Sequence, residues 1–156
     1  MRIKNSIIGL FLLILLLPAC NIDSVYENTH SIESGAWSKK QAIGFDIPVT
    51  DTINGHNIYI TLRNTEEYPY SNLFIFVTTR SPKGAVKKDT IELTLADEKG
   101  KWYGRGLAGI WSYERIIKQN IRFPYSGKYH MEFVQAMRDD NLTGIKDIGI
   151  KVERVK

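Results

Sequence analysis

Two hydrophobic patterns divide the chain. Residues 7–17 form an uninterrupted apolar run that follows the basic residues Arg2 and Lys4. The run is too short to cross a bilayer as a stable helix, which needs roughly 20 residues. A positive start followed by a short apolar run is typical of an export signal that is removed. After residue 38 the apolar positions instead fall into short segments between turn residues.

These short segments predict an antiparallel all-β domain. They are rich in β-branched and aromatic residues, and turn-forming sequences such as Asn54-Gly55 and Ser81-Pro82 separate them. About eight strands are expected, at residues 43–49, 57–64, 73–80, 90–96, 101–106, 116–123, 128–137 and 148–155. We expect them to form a β-sandwich of two sheets with a jelly-roll-like arrangement.

The hydrophobic alternation also predicts where strands lie in the sandwich. In residues 57–64, Ile58, Ile60 and Leu62 share one face and polar residues occupy the other, so this strand should have one solvated face. Residues 73–77 are apolar on both faces, which predicts a central or covered strand. Residues 111–120 are ambiguous, since a short helix fits them nearly as well as a strand.

The segment before the domain is polar and has no sustained period. We therefore predict three regions: a signal peptide at residues 1–19 that is removed, a lipidated N-terminus and polar tether at residues 20–38, and the β-sandwich at residues 39–156.

Cys20 is the only cysteine of the chain. Residues 17–20 (LPAC) resemble a bacterial lipobox, in which the cysteine receives a diacylglyceryl group, although Pro18 departs from the usual residue. Two interpretations are open: attachment of lipid to Cys20, or secretion with a leftover free thiol. We favour the lipid, because a lone exposed thiol is a liability in an oxidising compartment. Two or more acyl chains would hold the protein stably on a bilayer.

Charge and length narrow the function classes. Removal of 19 residues leaves 137, the size of one domain, with 19 basic and 17 acidic residues and a net charge of +2. The basic residues are scattered among acidic ones, which argues against nucleic-acid binding. Without a second cysteine there can be no internal disulfide, so stability must come from apolar burial and sheet hydrogen bonds.

No local pattern predicts catalysis, a metal or a cofactor. His30 is in the tether, His56 in a turn and His130 in a strand, and none has a partner at ligand spacing. The carboxylate pairs at residues 66–67 and 139–140 lie in predicted turns, where carboxylates are normally solvated. Residues 104–109 match the glycine spacing of a dinucleotide loop, but an all-β domain lacks the strand–helix unit that this loop requires. We predict a flexible loop or bulged strand there.

Aromatic residues cluster in one segment of the chain. Trp102, Tyr103, Trp111 and Tyr113 lie within twelve residues and could form a sugar-stacking platform or a protein-docking surface. The alternative is ordinary packing between strands and in the core. On the functional interpretation, Trp111 or Tyr113 should be exposed.

Three triplets share the order aspartate, hydroxyl residue, aliphatic residue. They place Ser24, Thr52 and Thr90 in a pattern that resembles the O-glycosylation acceptor of exported proteins in Bacteroidota. The alternative is that Thr52 and Thr90 merely begin strands.

Longer motifs carry a family resemblance. Residues 63–74 (RNTEEYPYSNLF), 123–138 and 144–150 (GIKDIGI) are similar to the gliding-motility lipoprotein family GldH of Bacteroidota, and the similarity extends from about Trp37 to Glu153. The resemblance implies an outer-membrane lipoprotein that is needed for surface gliding and cooperates with type IX secretion machinery. Only Cys20 carries over with a defined role. The absence of a dense acidic run after Cys20 favours the periplasmic face.

The sequence thus predicts a non-enzymatic envelope lipoprotein without a cofactor. Its partners would be the lipid bilayer, through acylated Cys20, and other envelope proteins of the motility and secretion apparatus. These proteins would contact the sheet face of Phe74 and Phe76 or the aromatic segment around Trp111. The alternative is a module that binds a glycan or the cell wall through the same aromatic residues.

Overall fold

The computed structural model describes residues 24–155, and every regular element in this range is a β-strand. The eleven strands are β1 (Ser24–Ser31), β2 (Ala36–Ser38), β3 (Ile43–Val49), β4 (His56–Thr65), β5 (Asn72–Arg80), β6 (Val86–Thr94), β7 (Arg105–Leu107), β8 (Ile110–Ile121), β9 (Gly127–Gln135), β10 (Asn141–Thr143) and β11 (Ile145–Arg154). The predicted signal peptide and Cys20 lie outside the described residues.

The strands form two main sheets and one small one. The five-stranded sheet has the order β1-β11-β4-β8-β7, and the four-stranded sheet has the order β3-β9-β5-β6. β10 pairs with β2, and all pairings are antiparallel. The eight longer strands pair in nested fashion, β1 with β11, β3 with β9, β4 with β8 and β5 with β6, which is the pairing of a jelly roll. The predicted jelly-roll-like sandwich is confirmed.

Alternation along the strands builds the core. In β4, Ile58, Ile60 and Leu62 are buried between the sheets, whereas Thr61 and Arg63 lie on the outer face of the five-stranded sheet. The predicted solvated face of this strand is therefore confirmed. β11 and β3 follow the same rule, so both sheets contribute aliphatic and aromatic side chains to one hydrophobic cluster.

The strand pairings decide two points that the sequence left open, the position of residues 73–77 in the sheet and the structure of residues 111–120. β5 lies between β9 and β6, which confirms that the doubly apolar segment is central. No other described element covers its outer face, where Phe76 is 52% exposed. Residues 110–121 form β8, the longest strand, rather than a helix. Its pairing with β4 on one side and β7 on the other accounts for this choice.

The predicted tether is wrong for residues 24–38. β1 pairs with β11 along its length, and β2 pairs with β10. Trp37 is completely buried, and its Nε1 donates a hydrogen bond to the carbonyl of Gln41 at 3.0 Å. The sequence of β1 is polar because β1 is an edge strand whose side chains are largely exposed. The sandwich therefore already includes Ser24, and only residues 21–23 separate it from Cys20.

The sandwich has two distinct ends. One carries the start of β1 together with the loops at residues 50–55, 81–85 and 122–126, and we call it the basal end. The Nζ of Lys83 lies 4.0 Å from the ring centre of Tyr125, and the amide of Val155 donates to the carbonyl of Gly55 at 2.8 Å, so these segments lie together. The opposite end, with the loops at residues 66–71, 95–104 and 136–140, is the apical end.

Candidate binding surfaces

A groove of about 800 Å³ lies on the outer face of the five-stranded sheet. Thr29 of β1 and Thr61 of β4 line its floor, and Gly149 of β11 lies in register between them. Tyr103, just before β7, and Arg105, its first residue, line it from the other side. We call this feature the sheet groove.

Gly149 allows the two threonines of the sheet groove to come together over β11. A Cβ at this position would lie 2.5 Å from the Oγ1 of Thr61 and 2.6 Å from the Oγ1 of Thr29. Both distances are shorter than a van der Waals contact, so any larger residue would push into the threonines. The two threonine hydroxyls occupy the space that a side chain at Gly149 would need, and they are able both to donate and to accept hydrogen bonds.

Charges of both signs line the sheet groove. The Nε of Arg63 donates to the Oδ2 of buried Asp147 at 2.6 Å, and this hydrogen bond raises the pKa of the Arg63 guanidinium above its ordinary value. Glu27, Glu114 and Arg105 also line the groove. With acidic and basic groups side by side, the groove suits a polar ligand of low net charge better than a polyanion or polycation.

The four aromatic residues singled out in the sequence do not form one flat platform. Tyr103 is 61% exposed at the edge of the sheet groove, and half-buried Tyr113 also lines it. Trp102 and Trp111 instead pack on each other, with ring centres 5.8 Å apart, and Trp102 packs against Tyr68. The expected exposure of Trp111 or Tyr113 is met only in part, since both are half-buried.

A second candidate surface lies on the outer face of the four-stranded sheet. Phe76 of β5 lies directly opposite Val134 of β9, and Phe74 lies two residues along the same strand. Next to Phe74, a hollow of about 350 Å³ is lined by Met137 and Tyr70, among others. We call Phe74, Phe76, Val134 and Met137 the apolar patch.

The histidines have structural environments. His56, predicted in a turn, is the buried first residue of β4, where its ring packs against Phe123 and its Nδ1 has no hydrogen-bond partner. His130 hydrogen-bonds Asp46 at 2.7 Å, which holds the pKa of that carboxyl below its ordinary value. His30 is exposed on β1. Within residues 24–155, no three His, Cys, Asp or Glu side chains gather in a way that could hold a metal ion.

The carboxylate pair at residues 139–140 is tied to neighbouring side chains. Asp139 accepts a hydrogen bond from the Tyr70 hydroxyl at 2.6 Å, which raises the pKa of that phenol, and Asp140 pairs with Lys39 at 3.3 Å. The glycine-rich segment at residues 104–109 contains β7 and the tight turn into β8. In that turn Ala108 and Gly109 adopt positive φ angles of 51° and 78°.

The aspartates of two glycosylation-like triplets have structural partners. Asp51 accepts hydrogen bonds from the amide of Asn54, from its side chain and from the amide of Ile53, which lowers the pKa of Asp51 to about 2. Half-buried Thr52 lies inside this turn. Asp89 pairs with Lys118, and its neighbour Thr90 is exposed on β6.

The hydroxyl residue of the first triplet, Ser24, is half-buried at the start of β1. Its aspartate and the predicted lipidation site Cys20 lie outside the described residues. Among residues 24–155 there is no helix that could span a bilayer.

Comparison with known proteins places these features in a family. Residues 24–152 match the GldH lipoprotein family. The chain is 35% identical to gliding motility lipoprotein GldH of Flavobacterium johnsoniae, with 99% of each chain covered. It is 31% identical to a GldH homolog of Christiangramia forsetii, covering 99% of this chain and 98% of the relative.

Among solved structures, a non-crystalline cellulose-specific carbohydrate-binding module aligns over 83% of this chain and 73% of its own, at 10% identity and a TM-score of 0.47. Because that likeness is weak, the assignment rests on the family profile and the two relatives. This chain belongs to the GldH lipoprotein family of gliding motility proteins.

Proposed function

We propose that the protein is a non-enzymatic assembly component of the cell envelope. In this proposal Cys20 carries the lipid, the protein is held on the periplasmic face of the outer membrane, and its β-sandwich docks another protein of the gliding and type IX secretion machinery. Family membership supports a role in motility. The lipobox-like residues 17–20 support the anchor.

The apolar patch is the observation that carries the docking proposal. Phe76 leaves half of its surface in water at the centre of a sheet, beside Phe74 and Val134. Phenylalanine and methionine are enriched at protein interfaces relative to the rest of the protein surface. The adjacent hollow beside Met137 offers a place for a side chain of the partner.

The test is crosslinking in native cells, followed by mass spectrometry of what is attached to the protein. We expect an envelope protein of the motility or secretion machinery to be attached at the apolar patch in the wild type. Phe76→Ser should lose it. Ile116→Ser is the matched control, because Ile116 is an exposed apolar residue on β8 of the other sheet. Recovery of no reproducible envelope partner, or equal loss in both variants, would count against the proposal.

The anchor has its own test. Cys20→Ser should move the protein from the membrane fraction to the soluble fraction and should abolish incorporation of labelled fatty acid. Persistent membrane association of a variant that takes up no fatty acid would contradict lipidation at Cys20.

The sheet groove supports a second candidate function, binding of a glycan. Its threonine hydroxyls, its charged hydrogen-bonding groups and exposed Tyr103 are the kinds of group that hold a sugar ring. A glycan array should then show binding that Tyr103→Ala abolishes, whereas Phe76→Ser should leave it intact. Absence of binding to any glycan by the folded wild type would remove this candidate.

A further inference from the structure

The basal end concentrates exposed apolar side chains. Of the eight large hydrophobic residues that are exposed in the described chain, four lie there: Val25, Ile53, Val86 and Tyr125. Ile53 is 79% exposed in the turn that Asp51 stabilises. These residues come from four different segments, so their gathering is a property of the fold and is invisible along the sequence.

The same end carries an excess of basic residues. Residues 50–57, 80–88, 120–128 and 153–155 together contain seven basic and two acidic residues. Lys128 is paired with Asp46 at 3.0 Å and Lys87 lies 3.8 Å from Asp89, so with these two acids included the end holds seven basic and four acidic residues. At the apical end, residues 30–44, 64–73, 95–111 and 134–146 contain seven of each sign. The charge asymmetry therefore runs along the long axis of the strands.

Chain length fixes which end meets the membrane. Three residues separate Cys20 from Ser24, so the Cα atoms of these two residues can be at most about 14 Å apart, at 3.3–3.6 Å per extended residue. Ser24 is already paired with Glu153 in the five-stranded sheet. If Cys20 is acylated, the basal end cannot move far from the bilayer surface. This step rests on the proposed anchor.

We propose that the basal end lies on the membrane and binds the headgroups of anionic phospholipids. Ile53 and Tyr125 enter the interfacial region, while exposed Lys83 and Arg122 contact phosphates. Lys83 already lies over the ring of Tyr125, so an apolar ring and a cationic group reach the surface together. The apical end then faces away from the bilayer.

Cys20 makes a direct test available. It is the only cysteine, so once it is acylated an introduced cysteine is the single reactive thiol. The purified lipoprotein is reconstituted into vesicles that contain phosphatidylglycerol, with a nitrobenzoxadiazole probe on Ile53→Cys. Leu107→Cys is the matched control, because Leu107 is 84% exposed near the apical end. Tyr125→Cys provides a second basal probe.

We expect the emission of the basal probes to shift to the blue in vesicles. Their quenching by aqueous iodide should be several-fold weaker in vesicles than in detergent. The probe at Leu107 should show no change in either quantity. Replacing phosphatidylglycerol by phosphatidylcholine, or introducing Lys83→Glu with Arg122→Glu, should restore quenching at Ile53. Equal iodide quenching of basal and apical probes in vesicles would overturn the inference.

Thiol reactivity of the wild-type protein distinguishes a failure of the proposed headgroup contact from a failure of the proposed lipid anchor. If denatured wild-type protein reacts with a thiol reagent, Cys20 is free and the proposed lipidation is wrong. If it does not react, and the basal probes remain fully quenched, the anchor stands and only the headgroup contact is refuted.

Discussion

The Nζ of Lys118 lies 2.8 Å from the Oδ2 of Asp89, and this ion pair joins β8 of one sheet to β6 of the other. A few residues away, the guanidinium of Arg115 reaches the carbonyl of Glu92 across the same gap. The pair therefore spans one lateral side of the sandwich. The hydrogen bond from Lys118 is the main reason that the pKa of Asp89 lies below its ordinary value.

Lys118→Met should cost about 0.5–1 kcal/mol of unfolding free energy at pH 7, since the pair is partly solvated. A lowered carboxyl pKa stabilises the fold above the unfolded value, near 3.8, and this contribution is lost as the pH falls through the lower folded value. Urea denaturation at pH 7 and in strong acid measures the difference. The control is Lys88→Met, an exposed lysine on β6 next to Asp89. A cost that is equal at both pH values would argue against the ion pair.

Trp37 provides a test of whether residues 24–38 belong to the domain. Trp37→Ala empties a fully buried site and should lower the unfolding free energy by about 3–5 kcal/mol. Denaturant unfolding followed by circular dichroism measures this loss. Leu107→Ala, at the exposed end of β7, should change stability by less than about 0.5 kcal/mol. A Trp37→Ala protein as stable as the wild type would restore the tether interpretation.

Gly149→Ala should destabilise the protein by about 1–3 kcal/mol, because its Cβ would crowd two threonine hydroxyls and the carbonyl of Asn28. The sign of this stability change is informative. In a strand with free space at the glycine, replacement by alanine would instead stabilise the protein by roughly 0.5–1 kcal/mol. Adding Thr61→Ala and Thr29→Ala should recover part of the loss. Thermal unfolding of the single and triple variants is the measurement, and a stabilised Gly149→Ala would show that the sheet groove is not tightly built at its floor.

Of the three residues at which O-glycosylation is predicted, Thr90 is exposed, whereas Ser24 and Thr52 are half-buried. Intact-mass measurement of natively expressed protein should show added sugar that Thr90→Ala removes. A glycan on Thr52 would keep neighbouring Ile53 away from the headgroups, so this modification and the membrane contact proposed above exclude each other. A mass equal to that of the acylated polypeptide alone would refute glycosylation.

Strands with a buried face could be predicted from the sequence because burial imposes period two. β3 was predicted at its observed bounds, and β4 and β5 within one residue at each end. Some edge strands could not be predicted from hydrophobic alternation. β1 buries little, so its exposed polar side chains resemble those of a linker, and β2 and β10 are too short to show a period.

The candidate surfaces needed the three-dimensional structure. Exposed Tyr103 was among the predicted aromatics, but the floor of the sheet groove combines Thr29 and Thr61, which are far apart in the chain. Phe74 and Phe76 were predicted as a contact face because residues 73–77 are apolar on both faces of the strand. Burial of His56 could not be foreseen, because the Asn54-Gly55 turn signal immediately before it masks the start of the strand.

The nested pairing has a kinetic consequence. β1 finds its partner in β11, so that Ser24 and Glu153 meet across 129 positions of chain. Topologies dominated by such distant pairings fold slowly, and strands that are not yet paired are prone to aggregate. If the chain is exported with its N-terminus first, as the proposed lipid anchor requires, β1 would remain unpaired until β11 has crossed the membrane, and chaperones could hold the chain during that interval.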